Sequence, residues 1–124
     1  MLEENIAIIV KGFSHTLKFL RENSPGMRIL LRRVSDELDV YEDDELARII
    51  VRNPGRFYSA LFSIFGSWFV TNIYVYIIMG TFFKKVNVKA SMLKVSSAIR
   101  RRSMEMWCNI LREVLEKEAD VREG

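Results

Sequence analysis

Residues 55–85 read GRFYSALFSIFGSWFVTNIYVYIIMGTFFKK, and from Phe57 to Phe83 they run for 27 residues without a charge. A stretch of that length could cross a bilayer, which needs about 20 predominantly apolar residues. Its composition argues otherwise: Ser59, Ser63, Ser67, Thr71, Asn72 and Thr81 interrupt it, with three tyrosines and two glycines. Both flanks are basic, Arg48, Arg52 and Arg56 before it and Lys84, Lys85 and Lys89 after it, so no charge asymmetry orients a span. The stretch therefore reads as the buried middle of a folded domain, with a membrane-associated span over 57–83 as an alternative. Gly66 suits a helix C-cap and Ser67 the next N-cap, which divides the run into helices over about 55–65 and 67–83. The β-branched and aromatic residues of VTNIYVYIIM would also suit a strand, so the second of these rests on its neighbours.

Outward from this centre the apolar residues keep a helical period. Leu2, Ile6, Ile9, Phe13, Leu17 and Leu20 recur at steps of three or four, and Asn23-Ser24-Pro25-Gly26 ends that helix. Met27, Leu30 or Leu31, Val34 and Leu38 continue the period in a second helix that should fold back on the first. Asp43 or Asp44 could cap a short helix with Leu46, Ile49 and Ile50 inside, stopped by Asn53-Pro54-Gly55. From Met92 through Val95, Ile99, Met106, Ile110, Leu111, Val114 and Leu115 one long terminal helix is predicted over about 90–118. The expected fold is all-α, a compact bundle of about five or six helices with a long C-terminal helix, in a single domain over 1–124.

The net charge of +3 conceals a segregation. Asp36, Glu37, Asp39, Glu42, Asp43, Asp44 and Glu45 fall within ten residues that hold no base, whereas Leu46 to Met104 holds ten bases and no acid. Lys84, Lys85, Lys89, Lys94, Arg100, Arg101 and Arg102 form the densest basic segment, a candidate surface for phosphates and hence for nucleic acid. Neutralisation by the acidic stretch, within the subunit or across a dimer, is the competing expectation. The acidic stretch is itself a candidate surface for a second partner. Leu38-Asp39-Val40 resembles the turn of a helix-turn-helix, but the second helix would present carboxylates to the DNA backbone, which repels them.

A helix that is apolar all round must be surrounded, and six helices barely suffice to wrap one in 124 residues. A homodimer is expected, with Phe69, Ile73, Tyr76 and Ile77 as the candidate interface and Asn72 at its rim. No catalytic, metal or cofactor constellation is visible. His15 stands without a neighbouring nucleophile, Cys108 beside Met104, Met106 and Ile110 reads as a small buried hydrophobe, and Gly55, Gly66 and Gly80 are isolated rather than a phosphate loop. One cysteine excludes an internal disulfide, and the acidic opening MLEENIAIIVKGF lacks the basic start of a secretory signal, so a cytoplasmic location is expected. Glutamine is absent while Arg, Lys and Glu abound, a bias of hot-living organisms.

IIVRNPGRFYSALFSIFG, an Asn-Pro turn, an aromatic pair and a helix ending in Phe65-Gly66, resembles a pattern in small archaeal all-helical output domains of the Nitrosopumilus type. The resemblance covers 18 residues and implies a non-enzymatic regulatory or signalling-output module of an archaeon, acting by protein–protein interaction. It carries over no catalytic residue.

Overall fold

Most helix boundaries of the chain fall at residues whose chemistry accounts for them. The computed structural model describes residues 3–123, with side chains through residue 117; Leu2 lies outside the described residues. Among these residues seven α-helices occur: α1 (Glu3–Asn23), α2 (Pro25–Leu38), α3 (Asp43–Arg52), α4 (Pro54–Phe65), α5 (Trp68–Lys85), α6 (Met92–Arg100) and α7 (Met104–Glu123). Ser24, Asn53, Ser67 and Ser91 are N-caps, and each side chain accepts a hydrogen bond from the backbone N–H three residues on. Such a bond satisfies one of the donors that a helix start leaves free. Pro25 and Pro54 occupy first turns, where the missing N–H costs nothing.

The first correction to the sequence expectation concerns the C-terminal helix, which is two helices. Arg102 takes the left-handed conformation (φ 55°). Around it Ser103 N–H donates to the Ala98 carbonyl at 3.0 Å and Arg102 N–H to the Ile99 carbonyl at 3.2 Å, the two bonds of a Schellman ending. Ser103 Oγ then accepts from Met106 N–H at 3.3 Å and starts α7. The break was masked because the left-handed position holds an arginine instead of the usual glycine. Asn87 ends α5 in the same way, with Val88 N–H on the Phe83 carbonyl. A second correction is local: Asp43 and Asp44 lie inside the first turn of α3, and Glu42 is the cap position without a side-chain bond.

Packing follows the apolar faces. α1 lies against α3 most extensively and also against α2, α5 and α7, while α4 touches α2, α3, α5 and α6. The buried side chains form one cluster, at whose centre Phe13, Phe57, Phe82 and Trp107 are fully enclosed. The Phe13 and Phe82 rings stack with centroids 3.7 Å apart, and Trp107 stands 6.3 Å from Phe13. Gly12 permits this approach of α1 to α5, since a Cβ there would lie 3.0 Å from Phe82 Cε2. Trp107 Nε1–H donates to the Val51 carbonyl at 2.8 Å, so the tryptophan that fills the core also satisfies a carbonyl that the end of α3 leaves free.

The uncharged run is two helices divided at Gly66, which takes φ 65° as the C-cap of α4. No helix among the described residues is long and apolar enough to cross a membrane. The run over 57–83 is therefore not one continuous helix but turns at Gly66 between α4 and α5.

Candidate interaction surfaces

α5 has no charge before Lys84, so hydropathy alone does not separate its faces; packing does. Thr71, Val75, Ile78, Met79, Phe82 and Phe83 are buried, whereas Phe69, Ile73, Tyr76 and Ile77 are exposed by 63%, 44%, 38% and 40%. Those four positions follow the i, i+4, i+7, i+8 spacing of one helix face and extend about 12 Å at 1.5 Å per residue. Phe62 and Trp68 are exposed near the start of α5, and the Trp68 and Phe69 rings meet edge to face. Asn72, at the edge of this face, is half-buried, and its Oδ1 accepts from Ser96 Oγ of α6 at 3.3 Å. Tyr58 and Tyr74 are likewise half-buried, with Tyr74 stacked on Phe65, which leaves Tyr76 as the tyrosine of the face.

The acidic stretch spans the end of α2, the turn after it and the start of α3. Asp43 accepts from Arg21 Nε at 2.8 Å and Asp44 from Ser14 Oγ at 2.6 Å, which ties the start of α3 to α1. Asp36, Glu37, Asp39, Glu42 and Glu45 are exposed. The Tyr41 phenol is held above its usual range by desolvation of its hydroxyl and then by the Asp36 and Asp39 carboxylates.

The seven bases of 84–102 do not gather in one place. Lys84 and Lys85 end α5, Lys89 lies in the following turn and Lys94 stands in the first turn of α6; Arg100, Arg101 and Arg102 occupy the other end of that helix. Lys85 Nζ sits 4.8 Å from the Phe19 ring centroid. Among the described residues the ion pairs are Arg21–Asp43 and Arg52–Glu3, and neither involves this segment.

A further basic feature escaped the sequence reading, where Arg48, Arg52 and Arg56 appeared only as a flank. Arg48 and Arg52 are one turn apart on α3, and Arg56 stands in the first turn of α4. Arg48, Arg52 and Arg56 line a surface cavity of about 380 Å³ together with Val40, Glu45, Ile49 and Asn53. Arg102 lies at the first turn of α4, outside that lining. Its stem lies across Gly55, where a Cβ would come within 2.7 Å of Arg102 Cγ, and its Nη2 donates to Ser59 Oγ at 2.7 Å. The signal was present as bases at i, i+4 and i+8, but the intervening Asn53-Pro54 turn concealed that they share one groove.

Arg52 Nη2 donates to both oxygens of Glu3, each at 2.6 Å. This hydrogen bond first, then the charges of Arg52 and Arg48, holds the Glu3 carboxyl below the ordinary glutamate value. A lowered folded-state value means that the stabilisation is present above the unfolded-state value and is lost as pH falls through the folded one. Both side chains are largely exposed, so the contribution to stability is small. In an NMR titration the Glu3 carboxyl carbon should have its midpoint below the ordinary value and return to it in Arg52→Ala; an unchanged midpoint would show that the pair does not form in solution.

His15 is exposed on α1, and Cys108 is half-buried beside a cavity of about 220 Å³ lined also by Ile6, Val51, Met104 and Leu111. Among the described residues no group of three or more His, Cys, Asp or Glu side chains is placed to hold a metal ion. Comparison with family models, with curated proteins and with solved structures finds no match to this chain.

Proposed function

We propose that the protein is a small non-enzymatic interaction module that works as a homodimer through the outer face of α5. The observation that carries this reading is the row Phe69, Ile73, Tyr76 and Ile77, large side chains in contact with water on a helix without charge until its last turn. Isolated exposed hydrophobes are ordinary, but a continuous apolar row rimmed by polar residues marks an association site. Charge depletion with aromatic enrichment is the composition of an interface centre. A second copy fits because the face is self-complementary: a two-fold axis across α5 places the same apolar row on itself without an unpaired charge. The acidic and basic surfaces remain outside this face and free for protein partners.

A regulatory or signalling-output role in an archaeon rests on the resemblance over Ile49 to Gly66, and a cytoplasmic, heat-adapted setting on the single cysteine and the glutamine-free composition. Nucleic acid is the second reading, favoured by the exposure of Lys84, Lys85, Lys89, Lys94, Arg100, Arg101 and Arg102, none of which has an acidic partner among the described residues. The test of the dimer is Ile73→Arg. A guanidinium forced into a desolvated apolar contact costs several kcal/mol, enough to shift a micromolar dimer to single subunits. Light scattering coupled to size-exclusion chromatography should report the one-subunit mass for this variant, with the helical circular dichroism spectrum retained. A two-subunit mass for Ile73→Arg would place the interface elsewhere.

A further inference from the structure

The cavity at the α3–α4 corner combines three features that bear on what it takes. First, Arg48, Arg52 and Arg56 line it together, and Arg48 and Arg56 make no ion pair or side-chain hydrogen bond among the described residues. Second, Arg52 already holds an oxyanion, the Glu3 carboxylate, with one nitrogen on both oxygens. That carboxylate is 80% exposed and comes from the first described turn of the chain, so it occupies one guanidinium while leaving the other two open. Third, the stem of Arg102 lies across Gly55 in the first turn of α4 and its Nη2 donates to Ser59 Oγ, which adds positive potential at the N-terminal end of that helix.

We propose that this groove binds a phosphate-bearing ligand, with Arg48 and Arg56 as its principal contacts and Glu3 as an internal competitor for Arg52. Phosphate is favoured over a carboxylate by charge and shape. A single carboxylate satisfies one guanidinium, as Glu3 does, whereas a doubly charged phosphoryl group presents enough oxygens for two or three forked donors. Ile49 and Val40 in the lining would meet an apolar portion of the ligand. Glu45 is the one carboxylate in the lining, and it disfavours anions only at that edge. This site lies outside the α5 face, so it stands or falls independently of the dimer.

The test is isothermal titration of the full chain with inorganic pyrophosphate at fixed ionic strength, with the thermal melt of every variant recorded alongside. Saturable binding is expected. Arg48→Ala and Arg56→Ala should each weaken it about tenfold or more, the loss of a charge-assisted contact. Glu3→Gln should tighten it about two- to fivefold by releasing Arg52 from an exposed pair. Lys84→Ala and Lys85→Ala should leave it unchanged within about twofold. These side chains lie outside the core, so unaltered melts are expected. A short single-stranded oligonucleotide supplies the second arm. If it displaces pyrophosphate at lower phosphate concentration, the source is a nucleic-acid backbone; if it does not compete, the source is a free phosphoryl compound. The proposal is overturned if no saturable binding occurs at pyrophosphate up to about 10 mM. It is equally overturned if Arg48→Ala and Arg56→Ala bind as the wild type does, or if the lysine variants lose as much affinity as the arginine ones, since that would be diffuse attraction.

Discussion

Trp107→Ala is expected to remove about 3–5 kcal/mol of folding stability. The side chain is fully buried, packs beside Phe13 and donates to the Val51 carbonyl, so its loss opens a cavity and strands a buried acceptor at the end of α3. Against the roughly 5–15 kcal/mol that holds a domain together, such a loss brings the chain near its unfolding threshold. Trp107→Phe separates the two contributions. It keeps an aromatic ring in the core but leaves the carbonyl unpaired, a cost of about 1–3 kcal/mol. Urea denaturation of both variants at one protein concentration measures the difference. A loss under about 1 kcal/mol in Trp107→Ala would mean that the enclosed arrangement of α3 and α7 is not the one in solution.

The second large effect lies on α5. Phe82→Ala should cost about 3–5 kcal/mol, since the ring is fully buried, stacks on Phe13 and faces Gly12 across the contact of α1 with α5. Ile77→Ala, five residues earlier on the same helix and 40% exposed, should cost under about 1 kcal/mol in a single subunit. The comparison belongs in the Ile73→Arg background, where association no longer contributes to the apparent stability. Similar losses at the two positions would assign α5 the wrong inner face.

How far the sequence could reveal this arrangement depended on what each residue does to the backbone. Ile9, Phe13, Leu17 and Leu20 in α1 and Met27, Leu30, Leu31 and Val34 in α2 are buried at their helical spacing, because charged residues between them mark the other face. The stops at Asn23 to Gly26 and at Asn53 to Gly55, and the Gly66 and Ser67 caps, were legible from local residue chemistry. Arg102 was not. An arginine in the left-handed region costs about 1–2 kcal/mol relative to a right-handed residue, and pattern gives no warning that tertiary contact with Gly55 and Ser59 offsets it. The helix predicted over about 90–118 is broken there.

α5 posed the opposite difficulty. Ile77 and Ile78 are indistinguishable by hydropathy, yet the first is exposed and the second fully buried, a distinction made by α1, α4 and α6 packing around the helix. The charges were legible as runs but not as surfaces. Position along the chain suggested one basic patch over 84–102, whereas the fold separates those bases to the two ends of α6 and assembles Arg48, Arg52 and Arg56 into a groove of their own.

The dimer is the centre of the functional account, and the molar mass of the unmodified chain tests it most directly. Light scattering on protein purified without detergent, over a dilution series from high to low micromolar concentration, should give twice the 14.5 kDa chain mass at the upper end. A mass of one chain throughout that series would contradict the account, because it would leave Phe69, Ile73, Tyr76 and Ile77 uncovered by a second copy.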